Sequence, residues 1–433
     1  MAHEDRAHRI GGLRTWLLLG GSLCCGCGDG GLPEGALEPI RIGVITSLTG
    51  SLGSLGPAWV NAALLAEQEF NAAGGVLRGR KVEMLVADDG VDPTRGAEAA
   101  RRLLDQGAVV ILGAAASGVS LAVAEETFAA GVPQISCCST SDTLTDAQPP
   151  GDRYFFRTVP PDRHQARVLA DAARERFTCS ALAVLYIDNA YGRPFGAAVA
   201  ESFAEAGGTV AAQESFAEDQ PDYEAEVAAV AMALGSTDRP CIALVGYPRP
   251  AGAIVRAWHV SMRRTVAWIG TDGLKDCGFV DAAGDPSFVD GFHGTAPITD
   301  DTRREYDEFE WRYASTFGAG PVVFGAQQYD AAVLALLAIA AARTTDGQAV
   351  REALFGVSRN DPGDALVRPG EVRQALVHLR REQGIDWVGA SGPVDFDDLG
   401  AVQSPYEIWR FERGPGGCDP GRDFRRVATV TPD

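Results

Sequence analysis

Positive charge is scarce in this sequence, which has 38 Lys and Arg residues against 58 Asp and Glu residues and a formal net charge of −20 at pH 7. Proteins that bind nucleic acid or anionic membrane surfaces usually have the opposite balance, because they must neutralise phosphate groups. The composition therefore argues against nucleic acid as a partner.

The sequence also lacks the motifs of common catalytic and metal sites. It has no phosphate-binding loop, no G-x-S-x-G nucleophile motif and no H-E-x-x-H zinc motif. The glycines of residues 50–56 do not follow the G-x-G-x-x-G order of a dinucleotide loop, and Asp397-Asp398 lacks the spacing of a calcium loop. The six histidines are scattered, at His3, His8, His164, His259, His293 and His378. We therefore expect no cofactor, no metal site and no enzymatic activity.

Beyond Leu32, no apolar run reaches the roughly 20 residues that span a bilayer. Three arginines within the first 14 residues precede a short apolar run at 15–23 and then Cys24, Cys25 and Cys27. This order is typical of a secretory signal peptide, and its cysteines resemble a bacterial lipoprotein signal. We expect lipidation of Cys27 and a periplasmic, membrane-anchored protein of a Gram-negative-type bacterium. An ordinary cleaved signal and a misplaced start codon are the alternatives.

Apolar strand-like runs alternate with amphipathic helices from residue 41 onwards, and the pattern restarts after Asp162. The predicted strands are 42–45, 82–87, 109–112, 181–187, 209–212, 242–245 and 267–269. Such alternation predicts parallel sheets with helices on both faces, and about 400 residues exceed one ordinary hydrophobic core. The sequence therefore predicts an α/β protein with two Rossmann-like lobes.

Six cysteines follow Cys27, namely Cys137, Cys138, Cys179, Cys241, Cys277 and Cys418. Export makes disulfides possible, but the chain is not a small cysteine-rich scaffold. Cys179 and Cys241 each precede an apolar strand, so neighbouring parallel strands could bring them together, and Cys277 would then pair with Cys418. Sequence alone does not fix connectivity, and other pairings stay open. No C-x-x-C pair follows Cys27, which argues against a zinc ribbon.

Residues 113–165 carry the strongest functional signal. The predicted strand at 109–112 runs into a small-residue turn with Ser117, and a second short strand ends in Ser136-Cys137-Cys138-Ser139-Thr140. Hydroxyls and free backbone amides at two strand ends favour a small anion, because open α/β sheets bind ligands beyond the carboxyl ends of their strands. This segment resembles the Leu/Ile/Val-binding protein family of extracytoplasmic receptors, which have the type I periplasmic-binding fold. The resemblance covers almost the whole chain after the signal.

The resemblance implies a three-strand hinge, with the chain crossing between lobes near residues 158, 297 and 391. Lobe 1 would contain 40–158 and 298–390, and lobe 2 would contain 159–297 and 391–413. A strand pair formed by 392–396 and 406–411 would close lobe 2. Residues 1–39 would be the lipoprotein signal and a linker, and the Gly- and Pro-rich residues 414–433 a surface tail.

The resemblance also assigns candidate ligand-binding residues. In that family a free amino acid lies between the lobes, with its carboxylate held by lobe 1 and its ammonium by a carboxylate of lobe 2. The matching positions here are Leu55, Ser117, Cys138, Ser139 and Thr140 on lobe 1, and Tyr191, Tyr247 and Asp272 on lobe 2.

The side-chain chemistry agrees with these roles. Ser117 and Thr140 offer hydroxyl donors, whereas an ionised Asp272 only accepts hydrogen bonds and suits an ammonium. We expect Cys138 to contribute its backbone, with a vicinal disulfide or thiol chemistry at Cys137-Cys138 as the alternative. Ordinary turn, capping or packing roles are the alternative for the other positions.

The function implied by the resemblance is that of a monomeric receptor, which delivers a small amino acid or a related zwitterion or amide to the membrane permease of an ABC importer. The alternative is a ligand-sensing subunit of a regulatory or signalling system. The sequence does not specify the side chain of the ligand.

Overall fold

The computed structural model describes residues 37–149, 151–262, 264–299 and 301–431. The predicted signal and its lipidation site, Cys27, lie outside these residues.

Lobe 1 is built on a five-stranded sheet with strand order β2-β1-β3-β4-β5, and each paired strand runs parallel to its neighbour. Its elements are β1 Ile40–Thr46, α1 Gly56–Ala72, β2 Val82–Asp88, α2 Pro93–Asp105, β3 Ala108–Gly113, α3 Ser117–Ala130, β4 Gln134–Ser136, α4 Thr143–Asp146 and β5 Phe155–Arg157. The central strands are nearly continuous apolar runs because helices cover both faces of the sheet.

Lobe 2 repeats this architecture around a seven-stranded sheet with strand order β14-β13-β10-β9-β8-β6-β7. Its first elements are α5 Asp162–Asp171, β6 Ala181–Ile187, α6 Gly192–Glu205, β7 Thr209–Phe216, α7 Glu224–Leu234, β8 Pro240–Val245, α8 Pro248–Ser261, β9 Ala267–Gly270, α9 Cys277–Ala283 and β10 His293–Pro297. Strands β6 to β9 pair in parallel, as the alternating pattern predicts, and β10, which the sequence did not predict, also pairs in parallel with β9.

The chain then returns to lobe 1 and covers one face of its sheet. The returning elements are α10 Arg304–Phe317, α11 Gly325–Ala342, α12 Gly347–Ser358, β11 Ala365–Val367, α13 Val372–Arg380 and β12 Ile385–Trp387. Tyr313 of α10 donates to the carbonyl of Ala58 in α1 at 3.0 Å, and Tyr329 of α11 donates to Glu69 at 2.6 Å. Within the described part of the chain, α11 is the one helix long and apolar enough to cross a membrane, but 83% of it is buried in the protein. It is therefore explained as the core helix of lobe 1.

The last elements of the chain return to lobe 2 and differ from the sequence prediction. They are β13 Tyr406–Phe411, α14 Pro420–Asp423 and β14 Phe424–Val430. β13 pairs antiparallel with β10, and β14 pairs antiparallel with β13. The prediction of a surface tail at 414–433 is therefore wrong for 424–430, which form the edge strand of the sheet. Phe424 anchors this strand against Trp409, with ring centroids 5.5 Å apart.

Residues 391–402 pack on lobe 1, whereas the sequence prediction placed them in lobe 2. Val394, Phe396 and Val402 belong to the apolar cluster beneath α11, and Phe396 lies 5.1 Å from Phe156 of β5 between ring centroids. The backbone amide of Arg157 also donates to the carbonyl of Gly400 at 2.8 Å. The third crossing therefore lies at 403–405, and the strand partner of β13 is β14 rather than 392–396.

The structure joins the six described cysteines in three disulfides. Cys179 pairs with Cys241 and Cys277 with Cys418, with Cα atoms 5.8 and 5.6 Å apart. Cys137 pairs with its chain neighbour Cys138. The first pair links the segment before β6 to β8, and the second ties α9 to the segment before α14. The third lies directly after β4.

Candidate functional site

A cavity of about 30 Å³ lies where the carboxyl ends of the strands of both lobes meet. It is lined by Leu52, Leu55, Trp59, Ala115, Ser117, Cys138, Tyr191, Tyr247, Asp272, Gly273, Val323 and Phe324. Six of the eight predicted ligand-binding residues are among them, and Ser139 and Thr140 are not.

Larger depressions lie elsewhere on lobe 2, including one of about 650 Å³ between residues 218–224 and α8. That depression lies within lobe 2 alone, and six of its fifteen lining residues are charged. The cavity between the lobes instead combines residues from both halves with buried ionisable groups, and this combination is what marks a binding site. We therefore take the smaller cavity as the candidate site.

Ser117 is the first residue of α3, so it lies at the amino end of a 14-residue helix. The first backbone amides of a helix have no partner within the helix, and they favour a negative charge nearby. The Ser117 hydroxyl accepts a hydrogen bond from the backbone amide of Ser141 at 3.3 Å, which orients its own proton elsewhere. This wall of the cavity therefore presents donors.

Ser139 and Thr140 are used inside lobe 1, contrary to the prediction that they line the site. The Ser139 hydroxyl bonds with the carbonyls of Ala114 and Ala115 at 3.2 and 2.9 Å, and so ties the loop after β4 to the loop after β3. Thr140 faces the carboxyl of Asp162, whose pKa is raised by burial, and its hydroxyl opposes that rise. The sequence identified the correct loop, but Ser139 turns inward to tie the two loops together, and Thr140 turns towards Asp162.

Asp272 follows β9 and forms the opposite wall, on lobe 2. Its Oδ1 accepts from Gln165 Nε2 at 2.9 Å and from the Tyr191 hydroxyl at 3.4 Å. Burial raises the pKa of this carboxyl to about 6, although these hydrogen bonds oppose the rise. Among the described residues, no Lys or Arg forms an ion pair with it. Asp272 is therefore a buried anion held by neutral donors.

Tyr191 and Tyr247 stack against each other on the same side of the cavity, with ring centroids 5.6 Å apart and an angle of 7° between the rings. Burial raises the pKa of both phenols well above the ordinary value, and for Tyr191 the nearby Asp272 is the next cause. Both phenols therefore stay protonated. The Tyr191 hydroxyl donates to Thr271 at 2.8 Å, which fixes the ring beside Asp272.

The sequence analysis did not identify Asp162, a second buried carboxyl behind the cavity. Asp162 begins α5 at the first crossing between the lobes and is 1% exposed. Neither of its oxygens has a hydrogen bond of acceptable geometry, and burial followed by the charge of Asp272 raises its pKa well above the ordinary value. The positive charge of Arg157 opposes this rise in pKa, but its effect is smaller than the effects of burial and of Asp272. The sequence feature that could have indicated this carboxyl is its charge at the end of the otherwise apolar crossing Val159-Pro160-Pro161-Asp162.

The apolar half of the cavity was also mostly missed. Of its residues the sequence predicts only Leu55, and it gives no indication that Trp59, Val323 and Phe324 join the lining. Trp59 Nε1 donates to the carbonyl of Val323 at 2.8 Å, which joins α1 to the loop before α11. No sequence signal links two positions that are 264 residues apart.

The vicinal disulfide brings a covalent element into the cavity wall. Cys138 lines the cavity and is bonded to Cys137. The sequence analysis expected only its backbone to contribute and kept the disulfide as the alternative. The structure contains this disulfide.

Hydrogen bonds close the rim of the cavity from lobe to lobe. Ser54 of lobe 1 donates to Asp276 of lobe 2 at 2.7 Å, and Ser51 donates to Glu218. On the other side, the Ser141 hydroxyl donates to the carbonyl of Ala190 at 2.8 Å. The two lobes are therefore in contact around the site, and access to it requires these bonds to open.

A family profile described as periplasmic binding protein matches residues 39–378. Among curated proteins, Leu/Ile/Val-binding protein homolog 3 of Brucella melitensis is 28% identical over 246 residues. That alignment covers 57% of this chain and 64% of the relative, so the chain spans somewhat less than two thirds of the relative's length.

Solved structures show the same fold over nearly the whole chain. The leucine-binding protein LivK of Thermotoga maritima superposes with a TM-score of 0.75 at 22% identity, covering 91% of this chain and 99% of that one. The branched-chain amino acid transporter substrate-binding protein LivJ of Streptococcus pneumoniae, in complex with isoleucine, gives 0.72 at 23% identity, covering 92% and 100%. At these identities the likeness establishes the fold, and the predicted type I periplasmic-binding fold is confirmed.

Proposed function

Because the chain belongs to the periplasmic binding protein family, we propose that it is an extracytoplasmic solute receptor that binds a small amino acid with an apolar side chain between its two lobes. The single observation that carries this proposal is the polarity of the cavity. Donors lie on lobe 1, a buried carboxyl lies on lobe 2, and apolar side chains complete the lining.

The two charged groups of an amino acid fit the two polar walls. The ligand carboxylate would meet the Ser117 hydroxyl at the amino end of α3, where a negative charge is favoured. The ammonium would meet Asp272, whose oxygens can accept from its three donors. The enclosed volume of about 30 Å³ is much smaller than the few hundred Å³ of a small-molecule site, so the lobes must separate to admit an amino acid. Since the walls belong to different lobes, a zwitterion then satisfies both only when the lobes close on it.

The buried carboxyls favour a cationic group in the ligand. Burial raises the pKa of both Asp272 and Asp162, and the charge of Asp272 raises that of Asp162 further. A buried charge without a counter-ion is costly, and an ammonium placed beside Asp272 relieves that cost. Anionic or neutral solutes would leave the carboxyl uncompensated.

The apolar half favours an aliphatic side chain. Trp59, Leu55 and Phe324 are each at most 4% exposed and offer no polar side-chain group to a ligand except the Trp59 indole nitrogen, which already donates to Val323. A charged ligand side chain would lose its water there without gaining partners. The names of the similar proteins, which mention leucine, isoleucine and valine, agree with this choice.

The remaining parts of the proposal concern the cellular setting. The closed lobes would form the surface that the membrane permease of an ABC importer recognises, and a lipid on Cys27 would hold the monomeric receptor at the membrane. The sensing alternative predicts instead that the closed form binds a signalling protein. Uptake of labelled ligand by cells with and without the gene separates the two, because only an importer component changes uptake.

Isothermal titration calorimetry tests the ligand proposal. We expect leucine, isoleucine or valine to bind, and we expect leucinamide, which lacks the carboxylate, and 4-methylpentanoate, which lacks the ammonium, to bind at least tenfold more weakly. Equal binding of either analogue would show that the corresponding wall does not recognise charge. Absence of heat with every amino acid would reject the proposal.

A further inference from the structure

We infer that the Cys137–Cys138 disulfide is part of the cavity wall against which the ligand packs, and that its reduction to two thiols weakens ligand binding. The inference rests on the proposed function, because it concerns the same cavity. It adds a redox-sensitive contact that the roles proposed above for Ser117 and Asp272 do not require.

The disulfide is firmly placed at the cavity. Cys138 lines it, and Cys137 and Cys138 are 2% and 8% exposed. The Ser136 hydroxyl accepts from the backbone amides of Cys138 and Ser139 at 3.2 and 3.0 Å, and it donates to the carbonyl of Ala114 at 2.6 Å. The backbone around the disulfide therefore has little freedom to move away from the cavity.

Reduction changes the space that the two sulfur atoms require. A dithiol reductant supplies two electrons and two protons and becomes a disulfide itself, while the Cys137–Cys138 bond breaks and two thiols form. Bonded sulfurs are about 2.05 Å apart. Non-bonded heavy atoms need about 3.5–4.0 Å, so the sulfurs must separate by about 1.5 Å or more.

The separation can occur in only one direction without disturbing the core. Both cysteines belong to the apolar cluster that contains Ala114 and Ala115, but only Cys138 also borders the cavity. The thiol of Cys138 therefore moves into a space of about 30 Å³. A ligand that fits against the disulfide then meets the thiol, and its affinity falls.

Access to the disulfide follows from the same geometry. Because both residues are nearly fully buried when the lobes are in contact, a soluble reductant reaches the sulfurs only through the opened cleft. A bound ligand that keeps the lobes closed should protect this disulfide. The Cys277–Cys418 disulfide, whose residues are partly exposed outside the cavity, should not be protected.

The first test compares affinities for leucine by calorimetry in the oxidised protein, in the protein treated with dithiothreitol, and in the variant C137S/C138S. Alkylation and peptide mass mapping show which disulfides have opened. We expect at least tenfold weaker binding once Cys137–Cys138 is open, a similarly weak affinity for the double variant, and no further effect of dithiothreitol on that variant. The matched control C277S/C418S should bind like the wild type and keep its sensitivity to dithiothreitol.

Wild-type affinity in the reduced protein, or in a folded C137S/C138S variant, would overturn the inference. If the double variant does not fold, the rate of reduction in the wild-type protein decides instead. Leucine should slow opening of Cys137–Cys138 at least tenfold without slowing that of Cys277–Cys418, and equal rates would reject the inference. Absence of binding by the oxidised wild type is a different outcome, which rejects the proposed function and with it this inference.

Discussion

Replacing Asp272 with Asn should weaken amino-acid binding while making the ligand-free protein more stable. Asp272 is fully buried, and its pKa is raised from 3.8 to about 6. The substitution removes the charge that the ligand ammonium needs, yet it keeps a side-chain oxygen that can still accept from Gln165 and Tyr191. Opposite effects on binding and stability are expected of a buried charge that the ligand neutralises.

The expected loss of affinity follows from the bond that is removed. A hydrogen bond to a charged group contributes about 1.5–3 kcal/mol. At about 1.4 kcal/mol for each tenfold change, the dissociation constant should rise about 10- to 150-fold. The new amide also points a donor towards the ammonium, so the upper half of this range is expected.

The expected gain in stability follows from the raised pKa. The unfolded chain loses the Asp272 proton near pH 4 and the folded protein near pH 6, so the folded state binds more protons between these values. Stability therefore falls as pH rises through this window and is constant above it. At pH 7.5 the ionised carboxyl lowers the free energy of unfolding by about 3 kcal/mol. The replacement amide is imperfectly hydrogen-bonded, and this lowers the free energy of unfolding by about 1–2 kcal/mol. A net gain in stability of about 1–2 kcal/mol therefore remains.

Asp330 provides a matched control in the core of lobe 1. It is equally buried with a pKa of about 6, but it accepts from Trp387 Nε1 at 3.0 Å and from the amide and hydroxyl of Ser391. D330N should lower the free energy of unfolding, because a new donor faces those donors, and it should leave the affinity unchanged. Calorimetry and thermal unfolding at pH 7.5 measure both quantities. Wild-type affinity in D272N would refute the assignment of the ammonium to Asp272.

Three further predictions follow from the same contacts. Ser117→Ala should weaken binding about 10- to 150-fold, the contribution of one hydrogen bond to a charged group. It should also lower the free energy of unfolding by about 1–3 kcal/mol in denaturant titrations, because the buried amide of Ser141 loses its acceptor. The affinity of the wild type should fall as pH drops below about 6, because Asp272 takes up a proton there; a flat titration between pH 5 and 8 would contradict this. Phe424→Ala should lower the free energy of unfolding by about 3–5 kcal/mol in denaturant titrations, because Phe424 is buried against Trp409. An effect near zero would mean that β14 adds little to the stability of lobe 2.

The sequence was sufficient to predict β1 to β4 of lobe 1 and β6 to β9 of lobe 2, but not β5 or β10. Residues such as 181–187 are apolar throughout and flanked by helices, and this local pattern is enough to identify a strand that is covered on both faces. It was insufficient for β14, because Phe424–Val430 follows a segment rich in Gly and Pro and carries two arginines in its first half. A half-exposed edge strand has only a weak hydrophobic pattern of its own. Its formation depends mostly on pairing with β13, which the local sequence does not reveal.

The candidate site was also predicted only in part, because only some of its residues follow a local sequence pattern. Residues at strand ends, such as Ser117 and Asp272, were found because parallel sheets place their ligands there. Asp162 and Phe324 were missed because they reach the cavity from a crossing segment and from a loop that precedes a helix. Their positions depend on how distant parts of the chain pack, which one sequence does not reveal.

The position of the third crossing has a consequence for how the chain matures. Lobe 1 starts at residue 40 but is completed only when residues up to 402 have been made. At about 5–20 residues per second, the roughly 360 residues between these points take about 20–70 s to synthesise. Until α11 has been made, only α1 covers the face of the first sheet against which α11 packs, and the part that α11 later covers has no partner from its own lobe. The nascent protein is therefore expected to depend on a chaperone that shields this face until translation is nearly finished.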